Sequence, residues 1–319
     1  FNDYKAIFSF AGTSPVKTVF AGYYLIATTQ DLQYVVMKVD VMQSTTISYG
    51  KFNVIVPTEL KNIVPIVSAS RKYVALTVPW TTHFLLFAYQ KHVYSLIGSY
   101  ANGQHISALS ISRHYLAAAS NDCTLRTWRI RKERIDDANN TKHSANLNDV
   151  LEPVSFLAKH IRPISFVEIC EKLNSVYSIS DDGLISCISL SDGRYLHGIE
   201  LELSDPSAFL VTKTGYVLVA FNGPDFAVLV ILDSNLEEIT RTSLDGSLKC
   251  WTTCTKGGIE YLAIVLKSQA IQIGELPYWR KTTDILDAPS IECVSFIKKP
   301  VPKLVFGSTY GELMTIDLD

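Results

Sequence analysis

Apolar residues in this chain come in short runs, many of them β-branched or aromatic, separated by turn residues, and no long stretch keeps a 3.6-residue period. This pattern predicts strands almost throughout. The strands come in pairs around tight turns: YLIATTQ with YVVMKVD, YVALTVP with FLLFAY, YLAAAS with LRTWRI, and VYSIS with LISCISL. YVLVAF with FAVLVIL, EYLAIVL with AIQIGEL, and KLVFGS with ELMTIDL continue the series to seven pairs.

The second members of these pairs end near Val39, Tyr89, Ile130, Leu190, Leu232, Glu275 and Leu318, at intervals of 50, 41, 60, 42, 43 and 43 residues. A unit of about 40 to 45 residues carrying four strands predicts an all-β fold, a single seven-bladed β-propeller over residues 1–319. The longest interval contains RKERIDDANNTKHSANLNDVLEPV, which reads as a polar loop insertion over about 131–154. The last unit stops at its third strand. YKAIFSF, from Tyr4 to Phe10, has strand composition and is expected to supply the missing outer strand, removing an exposed edge.

Composition narrows the function classes. With 47% hydrophobic and 19% charged residues the chain can bury a sizeable core and is not a disordered one. The net charge of −2 supplies no field that would draw it to nucleic acid or anionic lipid. Its longest apolar runs, such as Phe226 to Leu232, fall far short of a bilayer span, so no transmembrane segment is expected. The opening FNDYKAIFSF has no signal-peptide layout and no initiator Met, and reads as a piece of something longer. Six scattered cysteines in a core-rich chain point to a reducing, cytoplasmic setting.

One unit, HISALSISRHYLAAASNDCTLRTWRI, closely resembles a WD repeat. His105, Ser120, Asp122 and Trp128 stand at the positions of that family's structural hydrogen-bond tetrad, in which the polar groups satisfy one another behind the Trp. A Ser-His-Asp hydrolase would need an exposed nucleophile and an oxyanion hole, and no strained elbow or Gly-rich donor loop follows Ser120. No catalytic residue is assigned. The next unit keeps His160, Ser180 and Asp182 in the same order, with Ser180 and Asp182 at the same spacing, but has Ile188 in place of the Trp. The other five units lack the Gly-His and Trp-Asp dipeptides, and Trp128 itself is followed by Arg129, so the chain resembles a divergent WD-repeat propeller.

Other candidates are weaker. Cys250 and Cys254, four residues apart along a strand, are separated by roughly 13 Å, too far to bridge, and read as small buried hydrophobes. The seven His residues never pair at ligand spacing, so no metal is expected. No phosphate-binding or dinucleotide fingerprint occurs, no cofactor is implied, and Gly223 to Asp225 is turn chemistry. The basic run Arg129, Arg131, Lys132, Arg134 is interleaved with or followed by Glu133, Asp136 and Asp137, and reads as a solvated loop or a local contact with an acidic partner or lipid headgroup.

The turns between second and third strands, which share one face in a WD propeller, carry Asp31, Trp80, Asp122, Asp181, Asp182, Asp225 and Tyr310. Aromatic residues among acids resemble a protein-binding surface for a basic partner, with Trp80 least explained by turn chemistry. The competing reading is that each Asp simply satisfies its own turn.

The later units, LISCISLSDGRYLHGIEL, FAVLVILDSNLEEITRTSL and KLVFGSTYGELMTIDLD, look like the degenerate blades that end the BEACH-domain proteins of the neurobeachin and lysosomal-trafficking-regulator group. The resemblance implies a cytoplasmic scaffold in vesicle trafficking and membrane dynamics, peripheral on endomembranes through its parent protein. It also implies a neighbouring BEACH-type domain among the protein partners. The alternatives are a propeller subunit of a coat, ubiquitin-ligase adaptor or chromatin complex, or an enzyme with a central-channel site. The enzyme would need acids, His or Lys on the first strands, whereas IVPIVSAS, ISALSIS, SAFLVT and IECVSFI offer mainly Ser and Thr.

Overall fold

The computed structural model describes residues 5–21, 25–39, 44–52, 54, 64–70, 72–79, 81–132, 150–285, 290–297 and 303–317. They form seven four-stranded antiparallel sheets, the blades of a seven-bladed β-propeller. After β1 (Lys5–Ser9), one blade comprises β2 (Val16–Ala21), β3 (Leu25–Thr29), β4 (Gln33–Val39) and β5 (Ser44–Lys51). The next has β6 (Ile66–Ala69), β7 (Tyr73–Thr77), β8 (His83–Gln90) and β9 (Val93–Ala101). The third blade is β10 (Ile106–Ile111), β11 (Tyr115–Ser120), β12 (Leu125–Ile130) and β13 (Leu151–Leu157), followed by β14 (Ile164–Cys170), β15 (Ser175–Ser180), β16 (Leu184–Ser189) and β17 (Tyr195–Glu200). Two more blades are β18 (Ala208–Val211) to β21 (Glu238–Leu244), through β19 (Val217–Asn222) and β20 (Ala227–Leu232), and β22 (Leu248–Lys256) to β25 (Arg280–Ile285), through β23 (Ile259–Leu266) and β24 (Ile271–Glu275). The seventh is β26 (Ile291–Ile297), β27 (Lys303–Ser308) and β28 (Glu312–Asp317), with β1 as its outer strand in the order β1-β28-β27-β26.

Each predicted strand pair is the second and third strand of a blade, and the N-terminal strand completes the last blade as expected. Lys5 pairs with Thr315, and Ser9 with Glu312. The second strands are the most buried elements: every residue of β3, β7 and β15 is inaccessible, because these strands are covered on both faces.

The chain divides into two compact units, Phe1–Phe52 with Ala220–Leu232 and Glu238–Asp319, and Asn53–Val219 with Asp233–Glu237. Within each, the apolar core is a series of layers between neighbouring blades. In the first unit, Ala263, Val265 and Ile273 of one blade pack with Phe296, Leu304 and Phe306 of the next. In the second, Ala117, Ala119 and Leu125 pack with Val167, Val176 and Ile188.

The structure shortens the expected insertion. Leu151 to Val154 belong to β13, paired from Leu125↔Leu157 to Ile130↔Leu151, and residues 133–149 lie outside the described residues. Glu152 and Pro153 disguised this strand. Proline is tolerated because β13 is the outer strand of its sheet and the register shifts beside Pro153, so its missing N–H interrupts no continuous ladder.

The turn between β15 and β16 depends on Gly183, at φ +82°, where an added Cβ would lie 2.1 Å from the Leu203 carbonyl oxygen. Gly183→Ala is therefore expected to cost at least about 1–3 kcal/mol, read as a lowered urea midpoint.

Candidate functional site

The blades share one device at the end where the second strand turns into the third. The last residue of the second strand pairs with the first residue of the first strand: Thr29 with Val16, Ser120 with Ile106, Ser180 with Ile164, Leu266 with Leu248, and Ser308 with Ile291. In these five blades the register shifts immediately afterwards, so Lys17, Ser107, Ser165, Lys249 and Glu292 occupy bulges. A bulge re-aims its side chain. Where the second strand ends in Ser or Thr, the hydroxyl serves the turn: Ser308 Oγ accepts the Tyr310 and Glu312 N–H groups, and Thr29 Oγ1 accepts that of Gln33.

The His-Ser-Asp sets differ between the blades β10–β13 and β14–β17. His105 is exposed, and Ser120 Oγ donates to its carbonyl oxygen at 2.9 Å. The Ser120 connection therefore uses the backbone of His105. In the next blade His160 is 5% exposed, with Nδ1 2.8 Å from Ser180 Oγ and Nε2 2.8 Å from Ser178 Oγ, and Ser180 Oγ donates to Asp182 Oδ1 at 2.5 Å. These contacts give a directed chain: Ser178 donates to Nε2, Nδ1–H to Ser180, and Ser180 to the carboxylate. Burial pushes the imidazole pKa down to about 4 against the opposing pull of Asp182. Ser178 explains the contrast. Its counterpart two residues before Ser120 is Ala118, which could not satisfy the second nitrogen of a buried imidazole. Trp128 is half-buried against Phe84, ring centroids 5.4 Å apart.

The turn residues fall where expected, except that Trp80 lies outside the described residues. Most of the acids serve their own turns. Asp122 accepts from the Thr124 N–H and hydroxyl at 3.1 and 2.5 Å, Asp182 from Ser180, Asp181 from Ser165, and Asp31 from Thr29 and Gln33. Burial would raise Asp122, but hydrogen bonds from Thr124 and Ser120 hold its carboxyl below the usual range. Asp31, Asp122 and Asp225 are nonetheless exposed, Asp225 beside Phe226 at 48% exposure, and Tyr310 is 64% exposed.

The first strands carry more charge than the apolar runs suggested. Lys17 Nζ lies 2.9 Å from Glu292 Oε2, and Lys249 Nζ 3.0 Å from Glu292 Oε1. Burial would raise Glu292, yet the two lysines hold its carboxyl below the ordinary range. On β14, burial pushes Glu168 up to about 7 despite the Ser110 hydroxyl 3.4 Å away. These residues escape a sequence reading because each is a single charge inside an apolar run. For Lys17, Lys249 and Glu292 the detectable signal is a charged residue directly after the apolar residue that opens the first strand.

No family model matches the chain, and no curated protein matches it.

The remaining candidates are accounted for locally. No disulfide joins any of the six cysteines, and Cys250 and Cys254 pack half-buried against the layer between β22–β25 and β26–β28, with burial pushing Cys250 up to about 12. Among the described residues no group of His, Cys, Asp and Glu could hold a metal. The basic run is partly neutralised by Glu152, 3.0 Å from Arg131 and 3.9 Å from Arg129. Among the described residues, no helix is long and apolar enough to cross a membrane.

Proposed function

We propose that this chain is a non-catalytic protein-interaction module, the WD-repeat-type propeller of a BEACH-type scaffold in vesicle trafficking. It would work in the cytoplasm, peripheral on endomembranes through its parent protein. The observation that carries the reading is the pair of outward aromatics, Phe226 and Tyr310, on turns whose backbones are fixed by Ser247 and Ser308. Rigid turns present such groups without an ordering cost, and aromatic anchors dominate binding energy. The His160 chain favours a structural role for the Ser-His-Asp set, since Ser180 already donates to Asp182 and His160 is buried.

The test is affinity capture from cytosolic lysate with wild type and a Phe226→Ala/Tyr310→Ala double variant. A specific partner retained by wild type and lost by the variant, at unchanged melting temperature, is expected. Equal capture by both would remove this surface. A BEACH domain encoded upstream of Phe1 is expected on the scaffold reading, and a different domain there would overturn the trafficking assignment.

A further inference from the structure

Three neighbouring blades of the first unit place their bulge residues together. β26 packs against both β22 and β2, and its Glu292 receives Lys249 from one side and Lys17 from the other, one lysine on each carboxylate oxygen. Two ammonium groups and one carboxylate leave one positive charge on the cluster. The side chains are 24%, 18% and 23% exposed for Lys17, Glu292 and Lys249, so this charge is largely withdrawn from water without being cut off from it. Each ammonium has three donors, and Glu292 is the one acid that either lysine meets among the described residues. A partly desolvated, uncompensated charge is costly, and an anion bridging the two lysines would relieve that cost.

The surroundings indicate what carries the anion. Ile291, next to Glu292, pairs with Ser308, whose hydroxyl fixes the turn bearing Tyr310. Ser247, two residues before Lys249, donates to the Gly223 carbonyl oxygen at 3.0 Å in the turn bearing Phe226. The lysine pair therefore lies on the same unit and at the same strand ends as both outward aromatics.

We propose that this end of the first unit recognises an acidic segment of a partner protein, with an Asp or Glu carboxylate bridging Lys17 and Lys249 and apolar side chains resting on Tyr310 and Phe226. The inference rests on the protein-interaction reading and gives its partner a charge opposite to the one the aspartate-bearing turns suggest. It also gives Glu292 a definite role, as an internal competitor that the incoming carboxylate must share the lysines with.

A library of random 12-residue peptides displayed against the folded protein tests it. Retained peptides should be enriched in Asp and Glu beside aromatic or aliphatic residues. For the best of them, Lys17→Gln and Lys249→Gln should each weaken binding about tenfold. Glu292→Gln should tighten it several-fold, whereas a purely structural ion triad would only lose stability. Neutral or basic peptides, no retained peptide, acidic peptides indifferent to both lysine changes, or weaker binding by Glu292→Gln would each overturn the inference. Lysate capture is scored separately, so a partner captured there while the peptide test fails would leave the interaction reading standing.

Discussion

Deleting Phe1 to Phe10 is expected to lower the melting temperature more than any single substitution outside the core. The loss has two sources. β28 loses its ladder with β1, from Lys5↔Thr315 to Ser9↔Glu312, and becomes an exposed edge. Phe10, 3% exposed, also leaves a layer formed with Val16, Leu25, Val35 and Leu313, where it packs edge-on against Phe8 at 5.0 Å. Phe10→Ala alone should cost about 3–5 kcal/mol, the range for emptying a buried aromatic site, and the full deletion more. Urea unfolding of the two variants beside wild type measures both contributions. A truncated protein that unfolds at the wild-type midpoint would show that β1 contributes nothing to the last blade.

The second large effect is acid destabilisation through His160. Its folded pKa of about 4 lies below the ordinary 6.5, so between these values the unfolded chain binds a proton that the folded chain refuses. Stability from the neutral imidazole is therefore complete above about pH 6.5 and is lost as the pH falls toward 4. A shift of this size corresponds to about 3 kcal/mol. Glu168, raised to about 7, works in the opposite sense: its burial penalises folding increasingly as pH rises from about 4.5 to 7. The difference between wild type and His160→Gln isolates the histidine. The wild-type midpoint should fall more steeply between pH 6.5 and 4 than that of the variant, and parallel profiles would assign the acid response elsewhere. Ser178→Ala should also lower stability, because it leaves Nε2 buried without a partner.

What could be read from the sequence follows from burial. β3, β7 and β15 are covered on both faces, and such strands appear as continuous apolar runs. The outer strands β17 and β25 are mostly exposed, carry little apolar signal, and could be inferred only from the repeat length. β13 was hidden by Glu152 and Pro153 for the same reason. The candidate site was less legible. The Asp residues of the turns were visible, but whether an Asp faces a partner or its own backbone depends on neighbours such as Thr124 and Ser165. His105 and His160 look equivalent by their order before Ser and Asp, and the difference lies in Ala118 against Ser178, a position without significance until the strands are paired. The Lys17, Glu292 and Lys249 cluster required knowing which blades are neighbours, because Lys17 and Glu292 are 275 residues apart in the chain.

The antiparallel pairing of β1 with β28 also has a mechanical consequence. Lys5, where β1 begins, faces Thr315, near the end of β28, so tension applied through these two ends enters at one edge of the ladder. Hydrogen bonds loaded in this way break singly and in sequence, as in a zipper, whereas bonds loaded in shear would have to yield together. A protein held taut through these strands would open first at the seventh blade, which would make it a poor bearer of force along its own chain and suit it to being carried slack.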